Sequence, residues 1–242
     1  MKVSVLVPVY NEEETVSQIL SHLNRLKFVS QIVVINDAST DRSLQAIQSV
    51  RSQKITLINQ PYNQGKTAAI SAGLRIVNGD IVVIQDADME YDPDEIESLI
   101  EPIIKGRADV VYGSRFLVKK AARVLYFYHY LANKFLTFLC NLLTNLNMTD
   151  IETCYKAFRT GLVKDLPLTS KGFGMEVELT AYIARCNVRI YEVPISYYGR
   201  TYKEGKKIGI KDGIAAIYYI LDYNLTGRFN RTWKKRIREI VQ

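Results

Sequence analysis

Between Gly79-Asp80 and Asp92-Pro93 the chain runs Ile81-Val82-Val83-Ile84-Gln85-Asp86-Ala87-Asp88-Met89-Glu90, and this stretch constrains the fold more than any other. Four consecutive β-branched residues are too few for a helix and carry no polar face, so they read as a strand buried on both sides. The strand delivers Asp86, Asp88 and Glu90 to its carboxyl end. Carboxylates are costly to leave unpaired in a crevice, so a cation is expected there. A hard divalent ion, Mg²⁺ or Mn²⁺, prefers oxygen ligands and is commonly shared with substrate phosphates. The competing reading is that Asp88, Asp92 and Asp94 merely cap the helix opening at Pro93.

The surrounding chain alternates in the same manner. Apolar strands are predicted at 3–9, 32–35, 55–58, 81–84 and 109–112, with helices over 12–26, from 39–41, over 65–77 and from Pro93. Continuous apolar strands alternating with amphipathic helices predict an α/β fold: a doubly wound, mainly parallel sheet covered on both faces. Polar residues recur at one end of the strands: Asn11 and Glu12, Asn36 and Asp37, Asn59, then Asp86 and Asp88. Ligands of open α/β sheets bind at the carboxyl ends of strands, so these residues predict a binding crevice.

The second half changes character. Val124, Tyr128, Leu131, Phe135, Phe138, Leu142 and Leu146 recur at helical spacing. A strand near 153–158, a helix over 176–185, a strand over 189–193, a basic loop at 199–207 and a helix over 211–224 follow. A tail holding Arg228, Arg231, Lys234, Lys235, Arg236 and Arg238 ends the chain. No linker isolates an independent domain. The expected organisation is an α/β half (1–115), a second half of the same domain (116–225) and a basic helical or amphipathic appendage with its tail (226–242).

The net charge is +7, which suits nucleic acid, an anionic membrane surface or phosphorylated substrates. No nucleic-acid-binding motif accompanies that charge, so nucleic acid is not expected as a partner. The three cysteines show no paired spacing and read as reduced thiols of a cytoplasmic protein. Met1 leads directly into a strand, so no signal peptide is expected. The most apolar long stretch, 125–143, is interrupted by His129, Asn133, Lys134 and Asn141, so no spanning helix is expected.

Nucleotide motifs narrow the chemistry. Gly65-Lys66-Thr67 hints at a phosphate loop, but Gln60 stands where the Walker pattern needs glycine. No G-x-G-x-x-G follows the first strand, against a dinucleotide site. The motifs Val7-Pro8-Val9-Tyr10-Asn11-Glu12-Glu13, Ile35-Asn36-Asp37-Ala38-Ser39-Thr40-Asp41, Asn63-Gln64-Gly65-Lys66, Gln85-Asp86-Ala87-Asp88 and Tyr112-Gly113-Ser114-Arg115-Phe116 resemble, in order, those of family 2 glycosyltransferases. Later segments, Asp150-Ile151-Glu152-Thr153-Cys154-Tyr155-Lys156 and Arg200 to Lys207, resemble the polyprenyl-phosphate sugar synthases of that family, the dolichol-phosphate mannose synthase-like branch.

The resemblance implies a GT-A-type fold and an inverting, metal-dependent transfer of one sugar from a nucleotide-sugar to a polyprenyl phosphate. It implies that Pro8, Tyr10 and Glu12 embrace the nucleotide, that Asp37 hydrogen-bonds the base, and that Lys66 and Asp86 belong to the same donor site. Asp86 and Asp88 would hold the metal, with Glu90 where related synthases often carry glutamine. The family usually reads Asp-Asp-Gly-Ser at 36–39, so Asp37 is the expected essential carboxylate. A lipid phosphate is largely ionised near neutral pH and needs no general base, only cations to hold it. Arginine's planar fork suits that role, and Arg115, Arg123 and Arg200 are the candidates. Asp150 either orients acceptor or sugar, or caps its segment. A glycan hydroxyl as acceptor is the alternative, although it lacks a recognisable base motif here.

The aromatic helix at 124–146 reads either as a core helix or as an interfacial one touching the bilayer. With the basic tail, the second reading predicts a cytoplasmic protein peripheral at the inner face of an anionic membrane. A homo-oligomer is compatible with the sequence.

Overall fold

The computed structural model describes residues 1–117, 126–166, 168–172, 174–200 and 209–226. Arg123, residues 201–207 of the basic loop and the tail beyond Thr226 lie outside them. In chain order the elements are β1 (Val3–Val9), α1 (Val16–Arg25), β2 (Val29–Asn36), α2 (Ser43–Ser49), β3 (Ile55–Asn59), α3 (Lys66–Ile76), β4 (Ile81–Ile84), α4 (Ile96–Ile104), β5 (Val110–Ser114), α5 (Phe127–Thr144), β6 (Lys156–Arg159), α6 (Thr160–Val163), α7 (Gly174–Ile183), β7 (Ile190–Pro194) and α8 (Ile210–Leu221).

The strands form one seven-stranded sheet in the order β3-β2-β1-β4-β6-β5-β7. β1, β2, β3 and β4 are parallel, and so are β5 and β7. β6 alone runs antiparallel, wedged between β4 and β5. Strand residues alternate between two apolar layers, as the two-residue side-chain period requires. Leu6, Val33, Ile35, Val82 and Ile84 face one layer with residues of α3, α5, α7 and α8. Val5, Val7, Ile32, Val34, Ile81 and Val83 face the other with α1, α2 and α4.

Two helix starts fall later than the periodicity predicts. α1 begins at Val16 rather than residue 12, and α2 at Ser43 rather than 39–41. The cause is the lacing of the two preceding loops. Glu12 N donates to Ser43 Oγ at 2.8 Å, Glu13 N to the Asp41 carboxylate at 3.2 Å, and Thr40 N to Asn11 Oδ1 at 2.8 Å. These bonds tie the loops after β1 and β2 to each other ahead of both helices.

α5 settles between its two readings in an unexpected way. Its buried residues are Leu136, Thr137 and Cys140. The predicted stripe is the outer one: Tyr128, Leu131, Phe135, Phe138 and Leu142 are each at least 52% exposed. α8 packs beside α5 and carries a matching exposed stripe of Ile214, Tyr218 and Leu221, continued by Leu225. No helix among the described residues is long and apolar enough to cross a membrane.

The β1–β4 contact depends on Gly79, where a Cβ would lie 2.7 Å from Ser4 N and 2.9 Å from Lys2 O. These are backbone atoms that cannot swing aside. Gly79→Ala is expected to cost about 1–3 kcal/mol, seen as a lower urea midpoint at unchanged slope.

Candidate active site

The carboxyl ends of β1, β2 and β4 open into one cleft of about 1200 Å³. Three non-glycine residues just beyond these strands hold positive φ: Asn11 at 55°, Ala38 at 55° and Met89 at 62°. Such left-handed turns cost free energy for side-chain-bearing residues and reverse the chain sharply, turning the next residues toward the crevice. Ala38 occupies the position where the family usually has glycine, the residue that adopts this φ freely.

Of the residues predicted for the site, Pro8, Tyr10, Glu12, Asp37, Lys66, Asp86, Asp88, Glu90, Arg115 and Arg200 all line this cleft. Two cations divide its carboxylates. Lys66, the first residue of α3, places Nζ 2.6 Å from Asp86 Oδ1 and donates to Cys154 Sγ at 2.9 Å. Burial opposes its charge, but Asp86, Cys154 and Glu176 outweigh it and hold the ammonium well above the usual lysine range. Arg200 takes the others: Nη2 lies 2.7 Å from Asp88 Oδ2 and 3.5 Å from Glu12, and Nε 3.3 Å from Glu90 Oε1. Burial, then the charges of Asp86 and Glu90, push Asp88 up to about 7 despite Arg200. Negative charge thus exceeds what the two cations balance.

Asp86, Asp88 and Glu90 are not drawn into a preformed ligand triad. Among the described residues, the trio whose ligand atoms lie within 4.8 Å of one another is His22, Asp92 and Asp94, away from the cleft lining. Lys66 pulls Asp86 to one side, while Arg200 and Tyr197, whose Oη donates to Glu90 Oε2 at 2.8 Å, pull Glu90 to the other. The capping reading holds for Asp92, which accepts from Asp94 N at 3.0 Å. In chemistry the cleft trio still fits a divalent ion, since it offers only hard oxygen donors around an undercompensated carboxyl group.

Three other expected site residues have protein partners of their own. Asp37 ties down the loop before α3, each oxygen accepting one backbone N–H, from Gln64 at 2.8 Å and Gly65 at 2.7 Å. Asp150 is fully buried and does not line the cleft. Its carboxylate is not open to the cleft. Instead it grips Arg115, whose Nε and Nη2 each donate to it at 2.7 Å. That pairing uses two of the five guanidinium N–H groups and leaves the outer ones, on Nη1 and Nη2, for a further anion, with Cζ 5.2 Å from the centre of the Tyr197 ring. Arg200 is likewise occupied by carboxylates in this arrangement.

Sequence reasoning passed over Tyr197 and Glu152, both of which line the cleft. Tyr197 lies in a loop without periodicity and gave no signal. Glu152 stood inside a recognised motif, but only its neighbour Asp150 drew attention. The Arg115–Asp150 pair has a direct consequence. Asp150→Asn strands a guanidinium that is only 12% exposed, and a broken buried pair costs about 3–5 kcal/mol. Thermal and urea unfolding of the variant are expected to show that loss.

Comparisons with known proteins place the chain in a family. The glycosyl transferase family 2 domain matches residues 4–166. A dolichol-phosphate mannosyltransferase of Pyrococcus furiosus is 30% identical over 215 residues, covering 86% of this chain and 60% of that protein. An undecaprenyl-phosphate mannosyltransferase of Micrococcus luteus is 30% identical over 221 residues, 86% of this chain and 88% of the relative. The chain therefore spans less than two thirds of the first relative and most of the second. Glucosyl-3-phosphoglycerate synthase from Mycobacterium tuberculosis, solved with Mn²⁺ and UDP-glucose, superposes with a TM-score of 0.70 at 21% identity, over 95% of this chain and 80% of that one. That likeness establishes the GT-A-like fold. The chain belongs to glycosyl transferase family 2 and is similar over most of its length to polyprenyl-phosphate sugar transferases.

Proposed function

We propose that this glycosyltransferase moves one hexose from a nucleotide-sugar, of the UDP-glucose or GDP-mannose type, to a polyprenyl phosphate with inversion. The observation that carries this reading is the division of the cleft. Its inner end holds Lys66, Asp86, Asp88, Glu90 and Arg200, whereas its outer walls are Phe127, Tyr130, Phe135 and Leu136 of α5 with Ile214 and Ile217 of α8. A charged headgroup and an apolar chain would be accommodated by the two ends of one groove.

In this mechanism the donor diphosphate lies against the inner end, with Pro8, Tyr10 and Glu12 along the nucleotide and Asp37 fixing the Gln64–Gly65 loop. Asp86 and Asp88, with Glu90 beside them, are the residues that would hold Mg²⁺ or Mn²⁺. The ion, when bound, neutralises charge on the diphosphate leaving group. The acceptor phosphate oxygen attacks the anomeric carbon from the face opposite the departing diphosphate, and the glycosidic oxygen leaves with its electron pair. No proton is removed from the acceptor, because the phosphate monoester is already ionised. Arg200, which joins Glu12, Asp88 and Glu90 at the inner end, is the proposed acceptor clamp. Arg115, held in place by Asp150, offers its remaining N–H groups beside it. Arg123 remains a candidate outside the described residues.

The exposed stripes of α5 and α8 are proposed to lie against the inner face of an anionic membrane, where aromatic and aliphatic side chains enter the headgroup boundary. Phe138→Asp with Leu142→Asp alters positions that are 63% and 67% exposed, so folding is expected to persist. The double variant is expected to lose sedimentation with phosphatidylglycerol-containing vesicles. Equal sedimentation of both proteins would remove this face as the membrane contact.

Labelled UDP-glucose and GDP-mannose, offered with undecaprenyl or dolichyl phosphate, test the reaction itself. Asp88→Ala is expected to lower transfer roughly a hundred- to thousandfold while leaving far-UV circular dichroism unchanged. Cation binding requires the ionised carboxylate, so Mn²⁺ affinity of the wild type should fall as pH drops through about 7. Full activity of Asp88→Ala in a chelator would sink the metal assignment.

A further inference from the structure

Glu152 lines the cleft, yet none of the roles above employs it. It precedes β6, which pairs antiparallel with β4 so that Ile84 faces Lys156. Continuing that register one step past the strand ends sets Cys154 beside Asp86, and Glu152, two residues earlier, lies close to Glu176, whose Oε1 is 4.0 Å from Lys66 Nζ. The first adjacency is seen directly, since Lys66 Nζ reaches both Asp86 and Cys154. Glu152 therefore belongs to the inner, polar end of the cleft and not to its apolar walls.

Its bonding is incomplete. Glu152 Oε1 is buried without a hydrogen-bond partner, and so is Oε2 of neighbouring Glu176, whose other oxygen accepts from Cys154 Sγ at 3.4 Å. Buried polar atoms in native proteins are nearly always satisfied, so an unsatisfied one in a cleft marks a place for a ligand group. Phosphate is the wrong ligand for a carboxyl group beside Glu176. A neutral polyol suits it. Burial, then the charge of Glu176, push Glu152 up to about 8, so near neutral pH it carries a proton and can both donate and accept. Adjacent sugar hydroxyls offer the complementary pair.

We infer that Glu152 binds hydroxyl groups of the donor's hexose and so helps decide which sugar is accepted. The inference rests on the nucleotide-sugar reading and extends it to the sugar subsite.

Calorimetry with Mn²⁺ present separates the two, using UDP, GDP, UDP-glucose and GDP-mannose against wild type, Glu152→Gln and Glu152→Ala. Glu152→Ala is expected to bind the preferred nucleotide-hexose roughly ten- to hundredfold more weakly while binding the parent diphosphate within about twofold of wild type. Glu152→Gln, nearly the same shape, should retain more of the affinity and relax the choice between the two sugars. If Glu152→Ala binds donor and diphosphate as wild type does, the inference is overturned and the donor reading stands. An equal loss for both ligands would put Glu152 in the diphosphate site and overturn it as well. Intact donor binding with transfer lost would make Glu152 a proton acceptor for a hydroxyl substrate, again against the inference. A wild type that binds no nucleotide-sugar overturns the donor reading itself, and the inference with it.

Discussion

The antiparallel strand β6, set between β4 and β5, is the constraint on which the site depends. A parallel neighbour would bring its amino end to the far edge of the sheet and leave β4's carboxyl end facing a returning loop. Because β6 enters from the crevice side, the segment just before it, Asp150 to Tyr155, comes in at the carboxyl ends of β4 and β5. Lys66 then bridges Asp86 and Cys154, and Asp150, on the same segment, locks Arg115 at the end of β5. Two halves of the chain that share no local sequence pattern thus meet at one edge.

Charge crowding gives that edge its chemistry. Glu12, Asp86, Asp88 and Glu90 converge on Lys66 and Arg200, and the surplus of carboxylates raises Asp88 to about 7. The arginine is held by side chains from the loops after β1 and β4. The contact is conditional: anything that supplies positive charge to Asp88 competes with Arg200 for it. That competition is the physical basis for proposing that donor-side cation and acceptor-side arginine are linked.

The apolar stripes on α5 and α8 follow a separate logic. A helix packed on a sheet needs only one buried stripe, which α5 provides through Leu136, Thr137 and Cys140. Its second stripe, at 128, 131, 135, 138 and 142, faces outward next to Ile214, Tyr218 and Leu221 of α8. Large exposed apolar patches are uncommon on soluble domains and mark surfaces that something covers. Because the same helices wall the outer cleft, the proposed membrane face and the proposed route for a lipid chain are continuous.

Much of this was legible in the chain. The run Ile81–Ile84 could only be a strand buried on both sides, and its burial throughout bears that out. The alternation around it required a parallel sheet, and the polar residues after each strand marked the edge where a ligand binds. Strand interiors are legible because their apolar period is local. Helix starts at 16 and 43, the antiparallel sense of β6, the retreat of Asp150 behind Arg115 and the outward turn of the α5 stripe were not. Each is decided by partners distant in sequence: serine and aspartate side chains across the crevice, a strand inserted from the other half, a guanidinium 35 residues away. The sequence by itself determined the class of fold and which residues could carry charge into the site. Only the tertiary structure decided which charges neutralise one another, because pairing depends on distance and burial, and neither is a property of the chain's order.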